Sequence, residues 1–272
     1  MPNYNRFNIS HFGFLLTIRK LLYFLFKINY QKLKELLLTL LKIPSVKISK
    51  SVFDFLNELK ENNNRPWFNE RKDRYLTIHS DMVTFADSLL EKMSHHDNIE
   101  TMNGKQSLFR IYRDTRFSKN KQPYKNHWAG RMRRATKWLR GGYYYHIEPG
   151  GSFVAGGFWR PNSPDLKRIR EELAADPDSF RKIINAPDFK TVFGELLGET
   201  VKTAPKGYSK DHPAIDLLRY KQFIVKHSFT DKEVLSADFA DQMVDAFRHM
   251  RPFFDYMSDV LTTDSNGVPI ED

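Results

Sequence analysis

From Val46 onward, apolar positions first recur at helical spacing. In Ser51–Lys60 the residues Val52, Phe55, Leu56 and Leu59 line one side, which predicts a helix. The polar run Glu61–Asn64 ends it. Asn64-Arg65-Pro66 places proline near the first turn of a second helix. That helix carries Trp67, Phe68, Tyr75, Ile78, Met82, Phe85, Leu89 and Met93, and stops at the polar turn His95-His96-Asp97. The period then changes. Leu108–Arg113 alternates, with Phe109 and Ile111 on one face and Arg110, Tyr112 and Asp114 on the other, as a strand does. Tyr143–Glu148 and Ser152–Trp159 flank Pro149-Gly150-Gly151, a hairpin signal. Gly156 and Gly157 within the second strand suggest a bulge or a close approach.

Helices return after the hairpin. Ser163-Pro164 and Asp176-Pro177 each set a capping residue before proline, introducing Leu166–Leu173 and Phe180–Ile184. Asp211-His212-Pro213 opens a short helix to Tyr220, and Gln222–Phe229 reads as a last strand. Ser236–Leu261 is a long amphipathic helix with Phe239, Met243, Phe247, Met250 and Phe254 as its stripe, which Pro252 should kink. No repeat or linker is visible. The order predicts a single α+β domain over residues 46–264, followed by a short tail at 265–272. Its sheet is largely antiparallel, of about four to five strands, packed with helices from both ends of the chain.

Composition narrows the functional classes. A chain of 272 residues can bury roughly 70–75% of its unfolded surface. Cysteine is absent, which excludes disulfides, zinc ribbons, iron–sulfur ligation and Cys nucleophiles. It also fits a reducing compartment, so a cytoplasmic location is expected. The net charge of +10 is unevenly spread: residues 1–45 carry +6, 46–100 carry −2, 101–140 carry +11 and 141–272 carry −5.

The N-terminal block has two readings. As a basic amphipathic helix, Lys20, Lys27, Gln31 and Lys34 oppose Leu22, Leu25, Leu33 and Leu36 and would suit an anionic membrane surface. As a mis-set start, it is translated AT-rich upstream DNA. Only Gly13 and Glu35 in residues 1–45 have codons beginning with G, against 11 such residues in 46–90, and Val46 fits a GTG start. The second reading is favoured, and a membrane partner is expected only if residues 1–45 are real.

The +11 block concentrates the candidate chemistry. Arg110, Arg113, Arg116, Lys119, Lys121 and Lys125 follow one another closely, and Asp114 is the only acid in residues 101–140. Guanidinium groups bind phosphate or carboxylate in bidentate fashion. Tyr112 and Tyr124 interleave and could stack on a ligand. The plainer alternative is that these cations pair with carboxylates of the flanking segments. The stretches Phe55–Phe68, Phe109–Lys125, Tyr144–Gly151, Gly157-Phe158-Trp159 and Ala204–Tyr208 resemble the Domain of Unknown Function 2461 family, over about residues 48–262. The resemblance implies no activity. It marks the arginine-rich segment and the Tyr144–Gly151 segment as family signature.

His146 and Glu148 form a second constellation. Residues two apart on a strand share a face, so Tyr144, His146 and Glu148 point together. A histidine beside a carboxylate serves as a general base, as part of a metal pair, or as a satisfied structural pair, the reading favoured here. His127 could join that face but has no assigned partner. No metal and no cofactor are assigned from the sequence. There is no P-loop, no dinucleotide fingerprint, no His-Glu-x-x-His and no Gly-x-Ser-x-Gly elbow. Two functions stay open besides a purely structural role. One is binding of an anionic small molecule or nucleic acid through Arg110–Lys125. The other is an enzyme with Arg110 and Arg113 as clamp and Asp114, His146 or Glu148 as proton-transfer groups.

Overall fold

The computed structural model describes residues 46–264 and 267–270. Both readings of residues 1–45 lie outside them. Helix α1, Lys50–Glu61, buries Val52, Phe55, Leu56 and Leu59, the stripe its spacing predicts. The long second helix is in fact two, α2 (Arg65–Glu70) and α3 (Lys72–Ser94), broken at Arg71 with φ −110° and ψ 17°. Residues seven apart on a straight helix are separated by about 10 Å along the axis. The break instead brings the rings of Phe68 and Tyr75 to 5.0 Å, both against Phe55.

Four strands follow, after the short helix α4, Gly104–Ser107. They are β1 (Trp128–Arg133), β2 (Gly142–Ile147), β3 (Phe153–Phe158) and β4 (Phe223–Ser228), hydrogen-bonded in the order β1-β2-β3-β4. All pairs are antiparallel. The described residues form an α+β domain, the class the pattern predicts. The β2–β3 hairpin turns at Gly150 (φ +70°), where Gly151 N–H donates to the Glu148 carbonyl at 2.9 Å.

The expected strand Leu108–Arg113 is a correction. It makes only isolated bridges, Leu108 with Gly130 and Tyr112 with Tyr124. Between them, residues 109–111 face residues 125–129, so the longer side bows outward at Asn126 and His127. Regular alternation is lost: Ile111 is buried while Phe109 is exposed.

One face of the sheet is closed. Trp128, Met132, Tyr143, Tyr145, Val154 and Val225 all point into the core. Helices α3, α10 (Phe239–His249) and α11 (Arg251–Thr262) cover them. Tyr143 meets Phe247 and Phe254 edge-on at 5.0 and 5.1 Å, and Trp128 stacks on Tyr75 at 5.8 Å. The expected kink at Pro252 is a break at Met250, with proline in the first turn of α11. Gly156 and Gly157 mark close approach and not a bulge, since the β3–β4 register runs unbroken. A Cβ on Gly156 would lie 2.6 Å from Met250 Sδ, and one on Gly157 would lie 2.1 Å from the Phe223 carbonyl oxygen.

Between β3 and β4 the chain makes a helical excursion. It comprises α5 (Ser163–Ala175), α6 (Pro177–Ile184), α7 (Pro187–Phe193) and α8 (Ile215–Leu218). Asn162, not Ser163, caps α5 by accepting from Asp165 N–H at 2.7 Å, and Asp176 caps α6 as expected. A one-turn helix, α9 (Asp231–Val234), follows β4 behind a Thr230–Glu233 capping box. The outer edges of the sheet are partly occupied. Leu108–Phe109 and Ile99–Glu100 bond along β1, and Leu197 exchanges both backbone bonds with Ile224 on β4.

Candidate functional site

The other face of the sheet is open. Arg131 and Arg133 of β1 are exposed on it, Tyr144, Phe153 and Ala155 are half-buried, and Lys226 of β4 is exposed. A cavity of about 680 Å³ lies over β2–β4, lined among others by Tyr144, Phe153, Trp159, Leu197, Ile224 and Lys226. Lys226 Nζ sits 4.2 Å from the centre of the Phe153 ring. The floor is apolar and aromatic with a cation on its rim, a lining suited to a ligand with an apolar body and a polar end.

His146 adjoins this cavity, stacked on Phe153 at 4.8 Å and nearly buried. Its Nε2 lies 2.9 Å from Glu148 Oε2, and its Nδ1 lies 3.1 Å from the Tyr144 hydroxyl. A carboxylate only accepts, so Nε2 carries a proton towards Glu148, which leaves Nδ1 of a singly protonated ring to accept from Tyr144. Burial and the Glu148 charge raise the Tyr144 pKa, which keeps that hydroxyl protonated. Asn126 Nδ2 donates to the other Glu148 oxygen at 2.8 Å.

His127 completes the group. The bulge places its ring 4.1 Å from that of His146, stacked at 30°. It makes no hydrogen bond among the described residues. Ligand atoms of His127, His146 and Glu148 all lie within 4.8 Å of one another. Burial, then the neighbouring His146, lowers the His127 pKa from 6.5 to about 4; Lys125 and Arg113 lower it further and Glu148 opposes them. The folded value is thus below the unfolded one. As pH falls from about 6.5 towards about 4 the unfolded chain takes up the proton first, and the stability associated with neutral His127 is lost across that window. Urea unfolding at pH 7.5 and 4.5 should therefore show a smaller acid loss for His127→Gln than for the native chain. Equal losses would contradict the burial of this ring.

The basic segment divides into paired and unpaired cations. Arg116 is paired with Asp114 on the surface, with contacts of 3.0 and 2.7 Å that hold the Asp114 pKa down. Lys121 donates to the Thr115 carbonyl at 3.0 Å, and Lys119 is exposed in the loop. Arg113 is anchored by the Gln122 carbonyl at 3.3 Å and Ser118 Oγ at 3.5 Å, with no carboxylate partner among the described residues. Arg110 and Arg131 likewise make no ion pair among the described residues. Lys125 Nζ donates to the Arg110 carbonyl at 2.5 Å, and burial followed by Arg110 lowers its pKa.

Of the tyrosines, Tyr124 is 4% exposed with its ring stacked on Phe68 at 4.0 Å, whereas Tyr112 is half open at 47%. Phe109 reaches the open face, 6.3 Å from Tyr144.

Three other positive charges of the block are paired. Arg133 faces Glu100 at 3.6 Å, and Arg140 pairs with Asp165. Arg134 is fully buried, with Nε donating to Asp97 Oδ2 at 2.8 Å and a second pair to Asp255. Asp97 also accepts from Tyr143 at 2.6 Å and faces Arg251 at 3.3 Å.

Arg113, Lys125, His146 and Glu148 all lie close enough to His127 to act on its charge, and His127, expected on that face without a partner, meets His146 there; Arg131 and Lys226 are not among the residues expected from the sequence. Alternation in Trp128–Arg133 was the available signal for Arg131.

Fold and site define an α+β domain with a four-stranded antiparallel sheet covered by helices on one face. Residues 51–256 match the family model described as Conserved hypothetical protein (DUF2461), and the chain belongs to that family. No curated protein and no solved structure matches it. Among the described residues, no helix is long and apolar enough to cross a membrane.

Proposed function

We propose that the open face binds a small anionic ligand, a phosphate or carboxylate compound with an apolar or planar body. Arg113 and Lys125 hold the anionic group, Arg110 and Arg131 add positive field, and the body lies towards Tyr144, Phe153 and the cavity. Tyr112 is the aromatic neighbour on the loop side. The observation that carries this reading is that Arg110, Arg113, Lys125 and Arg131 make no ion pair among the described residues, with Arg131 on the open face and Lys125 over the Phe109 ring that neighbours Tyr144 of the cavity lining. Lys125 is disfavoured as a cation by burial and by Arg110, and an anion placed there relieves both costs. Hydrogen bonds to charged groups are worth about 1.5–3 kcal/mol each, so losing one guanidinium contact weakens binding roughly 10- to 100-fold.

A second reading, proton transfer to or from that ligand, is favoured by the His146–Glu148 contact of 2.9 Å on the same face. A thermal-shift screen with inorganic phosphate, nucleotides and dicarboxylates at low and high salt tests the binding. The expected result is stabilisation by one ligand class, weakened by salt and lost in Arg110→Ala/Arg113→Ala. Ligands that stabilise the double variant equally well would refute the assignment.

A further inference from the structure

We infer that His127, His146 and Glu148 bind a divalent transition-metal ion, of the zinc, iron(II) or cobalt(II) kind. The inference stands on the donor set and its surroundings, independently of the anion reading. Two imidazoles and one carboxylate, their ligand atoms within 4.8 Å of one another, converge on the open face of the sheet. Nitrogen-rich sets of this kind suit zinc, iron, cobalt or nickel; magnesium and calcium prefer all-oxygen shells. Three protein ligands leave at least one coordination position open, which is the arrangement of catalytic and not structural metal sites.

The surroundings match what a metal-binding histidine and carboxylate need. Ligating imidazoles are oriented by a partner on the other ring nitrogen. Tyr144 supplies that partner, 3.1 Å from Nδ1 of His146, and leaves Nε2 turned towards Glu148. With an ion on Nε2, the ring proton resides on Nδ1 and the Tyr144 oxygen accepts it, so the hydroxyl serves either state. Asn126 holds Glu148 Oε1 at 2.8 Å and leaves Oε2 to face the histidine. His127 is ordered by stacking alone, with both ring nitrogens unbonded among the described residues.

Tetrahedral zinc sets its ligand atoms about 3.3 Å apart. The His146–Glu148 contact of 2.9 Å therefore opens slightly as the ion enters, and the His127 donor atom joins from within 4.8 Å of the other two. The nearby charges of Arg113 and Lys125 oppose a cation, and only Glu148 offsets them within the group. An ion bound here leaves a strongly positive centre with an open position, directed at the same face as the guanidinium groups. Coordination by an anion at that position is the natural completion.

The test uses tag-free full-length protein, stripped with chelator and held in phosphate-free buffer. Titration with Co²⁺, followed by visible absorption and by calorimetry with Zn²⁺, should show one ion per chain. His146→Ala and the nearly isosteric Glu148→Gln should each weaken binding at least tenfold. Asn126→Ala should weaken it about tenfold, as loss of an outer partner does. Arg113→Ala should bind the ion as well as or better than the native chain while losing phosphate binding. Circular dichroism confirms that each variant is folded. Absence of stoichiometric binding, or binding unchanged in Glu148→Gln and His146→Ala, overturns the assignment and leaves His146–Glu148 a structural hydrogen bond.

Discussion

Replacing Arg134 with Met will destabilise the fold by about 3–5 kcal/mol, the penalty for stripping the partner from a buried charge. The side chains of Arg134 and Asp97 are 0% and 2% exposed. Removal of the guanidinium leaves the Asp97 carboxylate in the core with the Tyr143 hydroxyl and with Arg251 at 3.3 Å. It also frees the Arg140 carbonyl, an acceptor for Arg134 at 3.1 Å, and removes a partner of Ser258 Oγ. For a domain of this size the loss corresponds to a fall in Tm of roughly 6–20 °C. Adding Asp97→Asn to the variant should recover part of it, because a neutral amide costs less to bury than an unpaired carboxylate. Urea denaturation of the single and double variants checks both statements. A single-variant loss below about 1 kcal/mol would show that water reaches this cluster.

Gly157→Ala is the second large effect. Gly157 has φ +128°, a region that costs an L residue about 1–3 kcal/mol by strain alone. The new Cβ would stand 2.1 Å from the Phe223 carbonyl oxygen and 3.0 Å from Ile224 Cα, so backbone must move. The moving backbone is the β3–β4 ladder, paired from Phe153–Ser228 to Phe158–Phe223. The total should reach about 2–4 kcal/mol once disturbed pairing is added, and the cavity floor should change shape with it. Faster amide exchange confined to β4 is the expected signature in hydrogen-exchange mass spectrometry. Protection equal to the native chain would mean that the ladder tolerates the added carbon. Gly150→Ala is the control: its φ is also positive, but a Cβ there meets nothing within 4 Å, so only the strain remains.

Local signals carried most of the fold. Pro149-Gly150-Gly151 set the hairpin, the stripe in α1 matched its burial, and Pro252 marked the division between α10 and α11. What was not legible depends on partners distant in the chain. In β1, Gly130 is small because the Tyr145 ring lies where a Cβ would be, 2.2 Å from its hydroxyl oxygen. That reason is invisible until β1 and β2 are paired. Leu108–Arg113 alternates like a strand, yet its partners shift from Gly130 to Tyr124 across a bulge, so Phe109 and Ile111 part company.

The same bulge hid the site. Tyr144, His146 and Glu148 share a face by simple alternation, but His127 joins them only because Asn126 and His127 bow out. Charge was legible in amount and not in use. The surplus in residues 101–140 contains Arg134, a core residue, and Arg116, paired with its own neighbour, beside Arg113 and Arg131, which make no ion pair among the described residues.

The partly occupied edges of the sheet bear on how this protein can meet others. An uncovered edge strand is a template for another chain, by strand addition or by sheet-to-sheet growth. Here Phe109 and Glu100 take backbone groups at the β1 edge, and at the β4 edge Leu197 takes both backbone bonds of Ile224. A strand arriving at Ala129, Arg133 or Ile224 would have to displace a segment of the chain itself before it could pair.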